Sequence, residues 1–267
     1  MVVRVATWNL GHRFGDHERR HQAIIATLVS SGADIVCLQE VWAEEGGLDQ
    51  VDLLGDTINV HRARTASIFW RGQSFGNALL SRWPILASET VALTDAKGER
   101  TPRSMLVAVI DSPHGVITVV STHFEHRFDR SQTRIAQATQ LCSEIVRRRS
   151  DPDTAFPVLV GGDFNAVPDS DEIRMLTGRS APAERGLVLT DSWEVAGDGS
   201  PGHTWSRSNP HLADATWPNR RLDYLMVSWP RPKGVGVALS ARLLGTEPID
   251  GIVASDHYGV VVDLRTG

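Results

Sequence analysis

A segment near the middle of the chain joins an apolar run to two side chains suited to chemistry. The segment PVLVGGDFNAVPDS, residues 157–170, passes through two glycines to Asp163 and Asn165. Residues two apart in an extended strand point to the same face, so this spacing predicts a carboxylate and an amide directed together at the mouth of a sheet. Such a pair suits catalysis or ion binding better than core packing.

Five further apolar segments carry polar side chains of the same kinds at a boundary. A single Asn, Asp or His beside a strand is usually turn chemistry or a hydrogen-bonded structural group. Six such boundaries in one chain instead indicate a common site to which distant segments contribute. The residues are Asn9, Glu40, His123, Asp223 and the pair Asp256 and His257.

The residue types also restrict which metal ion this site would hold. Carboxylate and amide oxygens without cysteine favour a hard cation, so we expect Mg²⁺ or Mn²⁺. The alternative is zinc, for which the best spacing is His17 and His21, four residues apart at the start of a predicted helix. That segment has no glutamate in the position a zinc protease uses, so we interpret it as a solvated helix face.

Hydrophobic patterning predicts the elements that position these residues. Strands are predicted at residues 2–8, 35–39, 77–81, 104–111, 116–122, 158–161, 222–227 and 260–264, and helices at 19–30, 131–149 and 171–177. The helix at 131–149 has the clearest apolar periodicity, and Ser131 is positioned to cap it. Hairpin-like strands alternating with helices predict an α/β fold in which two sheets pack face to face under covering helices.

Composition is typical of one globular α/β domain over residues 1–267. The 267 residues are 41% hydrophobic and 22% charged, and the net charge of −5 argues against a broad nucleic-acid-binding surface. No apolar stretch reaches membrane-spanning length, and the opening MVVRVATW predicts a first strand instead of a signal peptide, so we expect a cytoplasmic monomer without a membrane partner. Cys37 and Cys142 are predicted to be buried thiols.

These motifs together resemble the endonuclease/exonuclease/phosphatase superfamily of DNase I-like, metal-dependent phosphohydrolases. The resemblance runs through TWNLGHR, ADIVCLQEV, GNALLSRWPI, TPRSMLVAVI, VVSTHFEHR, GGDFNAVPDS, RRLDYLMVS and SDHYGVVVDL, in the family's order. GDFNA together with LQE and a terminal SDH is the specific part. The resemblance implies a four-layer α/β sandwich with two central mixed β-sheets flanked by helices, and an active site at one end.

The resemblance also implies roles for the metal-binding and proton-transferring residues. Glu40 would be the principal ligand of a magnesium or manganese ion, with Asn9 beside it and Asp256 near the same ion. His257 is similar to the family's catalytic histidine, and Asp223 would fix its orientation. Hydrolysis would then proceed by direct attack of water on phosphorus, without a covalent enzyme intermediate.

The remaining implied roles concern the phosphate ester itself. Asp163 and Asn165 would position the attacking water and a phosphate oxygen, and His123 resembles the second histidine that contacts the scissile phosphate. Arg103 and Arg134 match arginines of bacterial members and are expected to contact phosphate. Intact Glu, Asp-x-Asn and Asp-His elements speak against the third alternative, a non-catalytic binding domain with the same fold.

The substrate is less constrained than the bond that is broken. We expect a phosphodiesterase, with nucleic acid as one candidate substrate, and a phosphomonoesterase or inositol-phosphatase-like enzyme as the alternative. No lysine follows LQEV, which disfavours an abasic-site repair enzyme. No exposed aromatic hairpin is evident in the sequence, which disfavours a membrane-acting sphingomyelinase. Substrate choice is expected in loops 41–75, 124–130 and 187–220, with stacking or phosphate contacts from Phe69, Trp70, Trp205, Trp217, Arg71, Arg127 and Arg130.

Overall fold

The computed structural model describes residues 1–65, 71–149, 156–229 and 232–267. Their helices are α1 (His17–Ser31), α2 (Gln50–Ile58), α3 (Ser131–Arg148), α4 (Asp171–Leu176) and α5 (Ser192–Ala196), with short 3-10 turns at Pro210–Leu212 and Pro232–Gly234. Their strands are β1 (Val2–Asn9), β2 (Ile35–Glu44), β3 (His61–Arg64), β4 (Gln73–Ser81), β5 (Ile85–Thr94), β6 (Arg100–Ser112), β7 (Gly115–His123), β8 (Leu159–Asp163), β9 (Leu189–Asp191), β10 (Asp223–Ser228), β11 (Ala238–Leu244) and β12 (Gly259–Arg265).

The strands form two mixed sheets of six strands each. The first sheet has the order β11-β12-β1-β2-β4-β3, and the second has the order β5-β6-β7-β8-β10-β9. Each sheet contains one parallel pair at its centre, β1 with β2 and β7 with β8, while the neighbouring strands run antiparallel. The mixed sheets predicted from the sequence are confirmed.

Three apolar layers show how the sheets and helices stack. Alternate residues of both sheets meet in a central core that includes Val5, Cys37, Leu106 and Leu159. The opposite face of the first sheet packs against α1 and α2, and the opposite face of the second sheet packs against α3 and α4. Because period-two alternation sends successive strand residues to different layers, the result is a helix-sheet-sheet-helix sandwich.

Two glycines in β8 allow the sheets to approach closely where the chain enters the polar segment. A β-carbon at Gly161 would lie 2.7 Å from the Sγ of Cys37 in the facing sheet. A β-carbon at Gly162 would lie 2.3 Å from the carbonyl oxygen of Thr122 on the neighbouring strand β7. Both distances are shorter than atoms tolerate, so any side chain at either position would push β8 away from its neighbours.

Several boundaries differ from the sequence-based predictions. The predicted loop at 41–75 contains α2 and β3, and the predicted loop at 187–220 contains β9 and α5. The start of α1 is not a fully solvated face, because Arg20 is buried there with 3% exposure. Ser131 is the first residue of α3 and does not cap it; its hydroxyl donates to Glu172 at 2.8 Å.

The two cysteines agree with the expectation of buried thiols. Cys37 and Cys142 are both free and buried, and burial raises the pKa of each thiol to about 12. Among the described residues, no helix combines the length and apolar character needed to cross a bilayer.

Candidate active site

Three site residues lie in one row across the second sheet. His123 at the end of β7 is in register with Asp163 at the end of parallel strand β8. Asp163 is in turn in register with Asp223, the first residue of antiparallel strand β10. Neighbouring strands lie about 5 Å apart, so the register alone brings an imidazole and two carboxylates together.

Asp163 and Asn165 meet through a turn and not through strand periodicity. Strand β8 ends at Asp163, and Asn165 has a positive φ of 49°. The backbone N–H of Asn165 donates to the Oδ1 of Asp163 at 2.9 Å, and its side-chain amide donates to the carbonyl of Phe124 at 3.2 Å. Asparagine tolerates this left-handed conformation better than most residues. The two side chains do share one pocket, as expected, but for a different backbone reason.

Glu40 reaches the site from a bulge in strand β2. The pairing of β2 with β4 shifts register between Leu38 and Val41, and Glu40 has a positive φ of 54°. Bulges of this kind redirect a side chain away from the regular alternation. Burial, reinforced by the charge of Asp256, raises the pKa of Glu40. The carboxylate is therefore held beside a second acid by a locally irregular backbone.

His257 and Asp223 form a buried hydrogen-bonded pair. The Nδ1 of His257 lies 2.8 Å from the Oδ2 of Asp223, which leaves the Nε2 of His257 3.9 Å from the Oδ2 of Asp163. Burial lowers the pKa of His257, but the charges of Asp223, Asp163 and Asp256 outweigh it and place the pKa well above the usual range. The indole Nε1 of Trp8 donates to the carbonyl of His257 at 2.9 Å and fixes its backbone.

Asn9 connects the two sheets at this end of the sandwich. Its Nδ2 donates to the Oδ2 of Asp163 at 2.9 Å, and its Oδ1 accepts the N–H of Gly11 at 2.9 Å. Ser255 adds a second link, because its hydroxyl donates to the carbonyl of Asn9 at 2.7 Å and accepts the N–H of His257 at 3.1 Å. The segment before β12 is thereby joined to the end of β1.

His123 and Arg103 lie side by side in the lining of the pocket. A guanidinium nitrogen of Arg103 lies 3.0 Å from the Nδ1 of His123, and the other terminal nitrogen lies 3.2 Å from the Nδ1 of His126. Burial and then the charge of Arg103 hold the pKa of His123 well below its usual value. A neutral imidazole that accepts at Nδ1 carries its proton at Nε2, which lies 3.4 Å from the Oδ2 of Asp163.

The acidic groups fit a divalent cation. Burial, and next the charge of Asp223, raise the pKa of Asp163 to about 7. Burial is the main cause that raises the pKa of Glu40 and of Asp163, and a neighbouring carboxylate adds to it in each case. A cation would offset this added negative charge, and oxygen donors suit a hard ion. Within the described segments, Asp163, Asp223 and His257 also bring one ligand atom each within 4.8 Å of one another. The Oδ1 of Asp223 is buried without a hydrogen-bond partner there.

Most of the predicted site residues border one pocket of about 770 Å³. The predicted members are Glu40, Arg71, Arg103, His123, Asp163, Asn165 and His257; His12, Gln73, Phe75 and His126 also line it. Asn9 and Asp223 are fully buried behind the pocket, where they contact Asp163 and His257. His12 and His126 were not selected from the sequence, although each follows a selected residue by three positions in a polar turn.

Arg134 does not line this pocket. It is buried in α3, where its Nε pairs with Glu172 and a terminal nitrogen donates to the carbonyls of Arg127 at 2.7 Å and Glu125 at 3.3 Å. The side chain thus anchors the loop that follows β7 and lies outside the pocket lining. Of the loop aromatics, Trp205 and Trp217 lie outside the pocket lining, and Phe69 and Trp70 fall outside the described residues.

Fold and site geometry together define a class of proteins. The profile of the Endonuclease/Exonuclease/phosphatase family matches residues 6–257, and the chain belongs to this family. The family expected from the sequence motifs is therefore confirmed.

Particular relatives are similar over part of their sequences. Protein angel of Drosophila melanogaster is 23% identical over 65% of this chain and 50% of its own length. Tyrosyl-DNA phosphodiesterase 2 of Xenopus laevis is 25% identical over 60% of this chain and 41% of its own length. The chain thus spans half or less of the length of these curated relatives.

Solved structures match over nearly the whole chain. TDP2 of D. rerio, complexed with a single-strand DNA product, superimposes with a TM-score of 0.75 at 19% identity, covering 99% of each chain. The human Nocturnin catalytic domain with bound sulfate gives a TM-score of 0.74 at 22% identity, covering 99% of this chain and 93% of that one. Both similarities support the four-layer sandwich.

Proposed function

We propose that this protein is a divalent-metal-dependent hydrolase that cleaves a phosphodiester, with nucleic acid as the substrate class. The observation that carries the proposal is the convergence of Glu40, Asp163 and the His257–Asp223 pair on one pocket at the ends of both sheets. The names of two relatives support it: one is a tyrosyl-DNA phosphodiesterase, and one structural neighbour was solved with a single-strand DNA product.

The metal site is proposed at the acidic side of the pocket. Glu40 and Asp256 would hold Mg²⁺ or Mn²⁺, with Asn9 beside them. When bound, such an ion neutralises charge on a phosphate oxygen and lowers the free energy of the transition state. The carboxylate oxygens of these residues are the donor type that both ions prefer.

The other pocket residues supply positioning and proton transfer. Arg103 and His123 line the pocket, where they would bind the non-bridging phosphate oxygens. Asp163 and the side chain of Asn165 would orient a water for in-line attack. His257, held by Asp223, presents its Nε2 to the reacting phosphate, where it would stabilise charge or donate a proton to the leaving oxygen. This arrangement requires no covalent intermediate.

A metal-dependent substrate screen tests this proposal. Bis-p-nitrophenyl phosphate and p-nitrophenyl phosphate are compared with Mg²⁺, Mn²⁺ and excess EDTA, followed by single-stranded and duplex DNA. We expect diester turnover that EDTA abolishes. Glu40→Ala and His257→Ala should each lower kcat by about 10²-fold or more, whereas the exposed controls Glu18→Ala and His61→Ala should retain full turnover.

The alternative function is a phosphomonoesterase or an inositol-phosphatase-like enzyme. It would be favoured by turnover of p-nitrophenyl phosphate and inositol phosphates without turnover of the diester. Absence of turnover with either ion, in protein shown to be folded, would contradict both and favour a binding domain.

A further inference from the structure

Three side chains from two loops form an exposed cluster of aromatic rings and one cation. The rings of Phe128 and Trp217 meet edge to face with centroids 4.7 Å apart. The guanidinium carbon of Arg220 lies 4.2 Å from the Phe128 centroid and 5.4 Å from the Trp217 centroid. Phe128 is 40% exposed and Trp217 is 49% exposed, so the outer surfaces of both rings face solvent.

The cluster is joined by short, anchored connections to the catalytic residues. Phe128 lies five residues after His123, in the loop whose carbonyl at Arg127 is held by the buried Arg134. Arg220 lies three residues before Asp223, and its backbone pairs with Trp205 through hydrogen bonds of 2.8 and 2.9 Å. These anchors restrain the backbone beside Phe128 and at Arg220, which lowers the entropy lost when a ligand stacks on the cluster.

Charged side chains of both signs lie beside the cluster, in a chain whose net charge is −5. Arg127 and Arg130 are exposed on the same loop as Phe128, and the exposed Asp129 between them lies 3.8 Å from the Nε of Arg130. Arg220 also lines a separate cavity of about 730 Å³, in which Arg179 pairs with Glu194 and Arg221 pairs with Asp191. The positive charge available beside the rings is therefore that of Arg220 and Arg127, which suits contact with backbone phosphate.

We propose that Phe128, Trp217 and Arg220 form a stacking platform for a base of single-stranded nucleic acid, a role that rests on the proposed function. Aromatic rings beside arginine bind unpaired bases by stacking, while the arginines bind the backbone phosphates. A single strand fits better than a duplex because the faces of paired bases are already stacked on each other. The platform would bind a nucleotide that flanks the scissile phosphate, and it would take no part in breaking the bond.

The test compares two strands that differ only in their bases. Binding of fluorescein-labelled oligothymidylate and of an abasic strand of the same length is measured by anisotropy, in EDTA so that no hydrolysis occurs. The double variant Phe128→Ala/Trp217→Ala should bind oligothymidylate about tenfold more weakly, with little change for the abasic strand. Phe128→Tyr/Trp217→Phe keeps both rings and should retain most of the affinity.

Trp229→Ala is the matched control, because Trp229 is 56% exposed and follows the opposite end of β10 from Asp223. It should leave both affinities unchanged. Equal weakening for both strands, or no weakening for either, would overturn the platform. Loss of binding to phosphatidylserine vesicles instead of oligothymidylate would assign the rings to lipid and also overturn it. Because binding is measured without turnover, failure of the platform is separate from failure of diester hydrolysis, which the nitrophenyl substrates report.

Discussion

The Nδ2 of Asn9, at the end of one sheet, donates to the Oδ2 of Asp163, at the end of the other, at 2.9 Å. This bond joins β1 to β8, which belong to different sheets, so two strands without any shared backbone hydrogen bonds are held in one arrangement. The position of Asp163 in the pocket therefore depends on a residue more than 150 positions away in the sequence.

Asn9→Ala should lower turnover more than stability. Loss of a hydrogen bond to a charged group removes about 1.5 to 3 kcal/mol, so we expect kcat for bis-p-nitrophenyl phosphate to fall about 10- to 100-fold. Thermal unfolding should remain a single transition near that of the parent protein. Asn59→Ala, at the exposed end of α2, serves as the control and should keep full turnover. Unchanged kcat for Asn9→Ala would show that the cross-sheet bond has no catalytic role.

Asp223→Asn should reduce turnover while preserving the fold. The amide has nearly the same shape, but it is neutral and cannot stabilise positive charge on His257. It also cannot replace the carboxylate oxygen Oδ2 that accepts the hydrogen bond from the Nδ1 of His257 and so fixes the imidazole. We expect kcat to fall about 10²- to 10⁴-fold with a much smaller change in KM. Steady-state kinetics provide the measurement, with the exposed Asp198→Asn as control. A change confined to KM would argue that Asp223 acts in binding.

Arg20→Met should destabilise the loop that follows Asn9 and the segment that precedes Asp256. The buried guanidinium donates to the carbonyls of Leu10, His12, Phe14 and Ala254, and burial lowers its pKa to about 10. Methionine fills similar space without any donor, so about 2 to 3 kcal/mol of unfolding free energy should be lost. Urea unfolding measures this change. Arg19→Met, one residue earlier and exposed, should change stability by less than about 0.5 kcal/mol.

The Arg4–Asp263 ion pair should give a small, acid-sensitive contribution to stability. Arg4 on β1 binds both carboxylate oxygens of its cross-strand partner, at 2.7 and 3.0 Å. The hydrogen bond from Arg4 lowers the pKa of Asp263, so its contribution is present above the unfolded-state pKa of about 3.9 and is lost as pH falls through the folded-state value.

Replacing Asp263 tests this dependence. Asp263→Asn should lower the unfolding free energy at pH 7 by about 0.2 to 1 kcal/mol, because the pair is partly exposed. The deficit should shrink toward zero as the pH is lowered below about 4. Denaturant titrations at several pH values measure it, with the exposed Asp214→Asn as control. A deficit that stays constant with pH would mean that lost packing, and not charge, is responsible.

The sequence predicted the parts of the fold whose burial produces a clear pattern. Apolar strands β1, β7, β8, β10 and β12 were all located, because each is buried and has a polar group at one boundary. Strand β5 was missed because half of its residues are exposed and few are buried, so it lacks the apolar alternation of a half-buried strand. Helix α2 was missed because Gly55 interrupts a short pattern within a polar region.

Residue type predicted which side chains come together in the pocket. It did not predict how each side chain is oriented or which backbone conformation places it there. Glu40, Asp163 and His257 share the pocket, as their chemistry indicated. Arg134 was expected to bind phosphate, yet it shares the buried face of α3 with Ala138, so the helical period already contained the contrary signal. The bulge at Glu40 and the turn at Asn165 depend on pairing with distant strands, which no local pattern specifies.

The left-handed backbone at Glu40 lowers the stability of the fold at a residue proposed to be needed for activity. A non-glycine residue in that conformation costs about 1 kcal/mol, and this acid is also crowded by Asp256. Glu40→Gly should therefore yield an inactive protein that survives heat better than its parent. A homologous protein that no longer used this carboxylate would gain thermal stability from a glycine at this position.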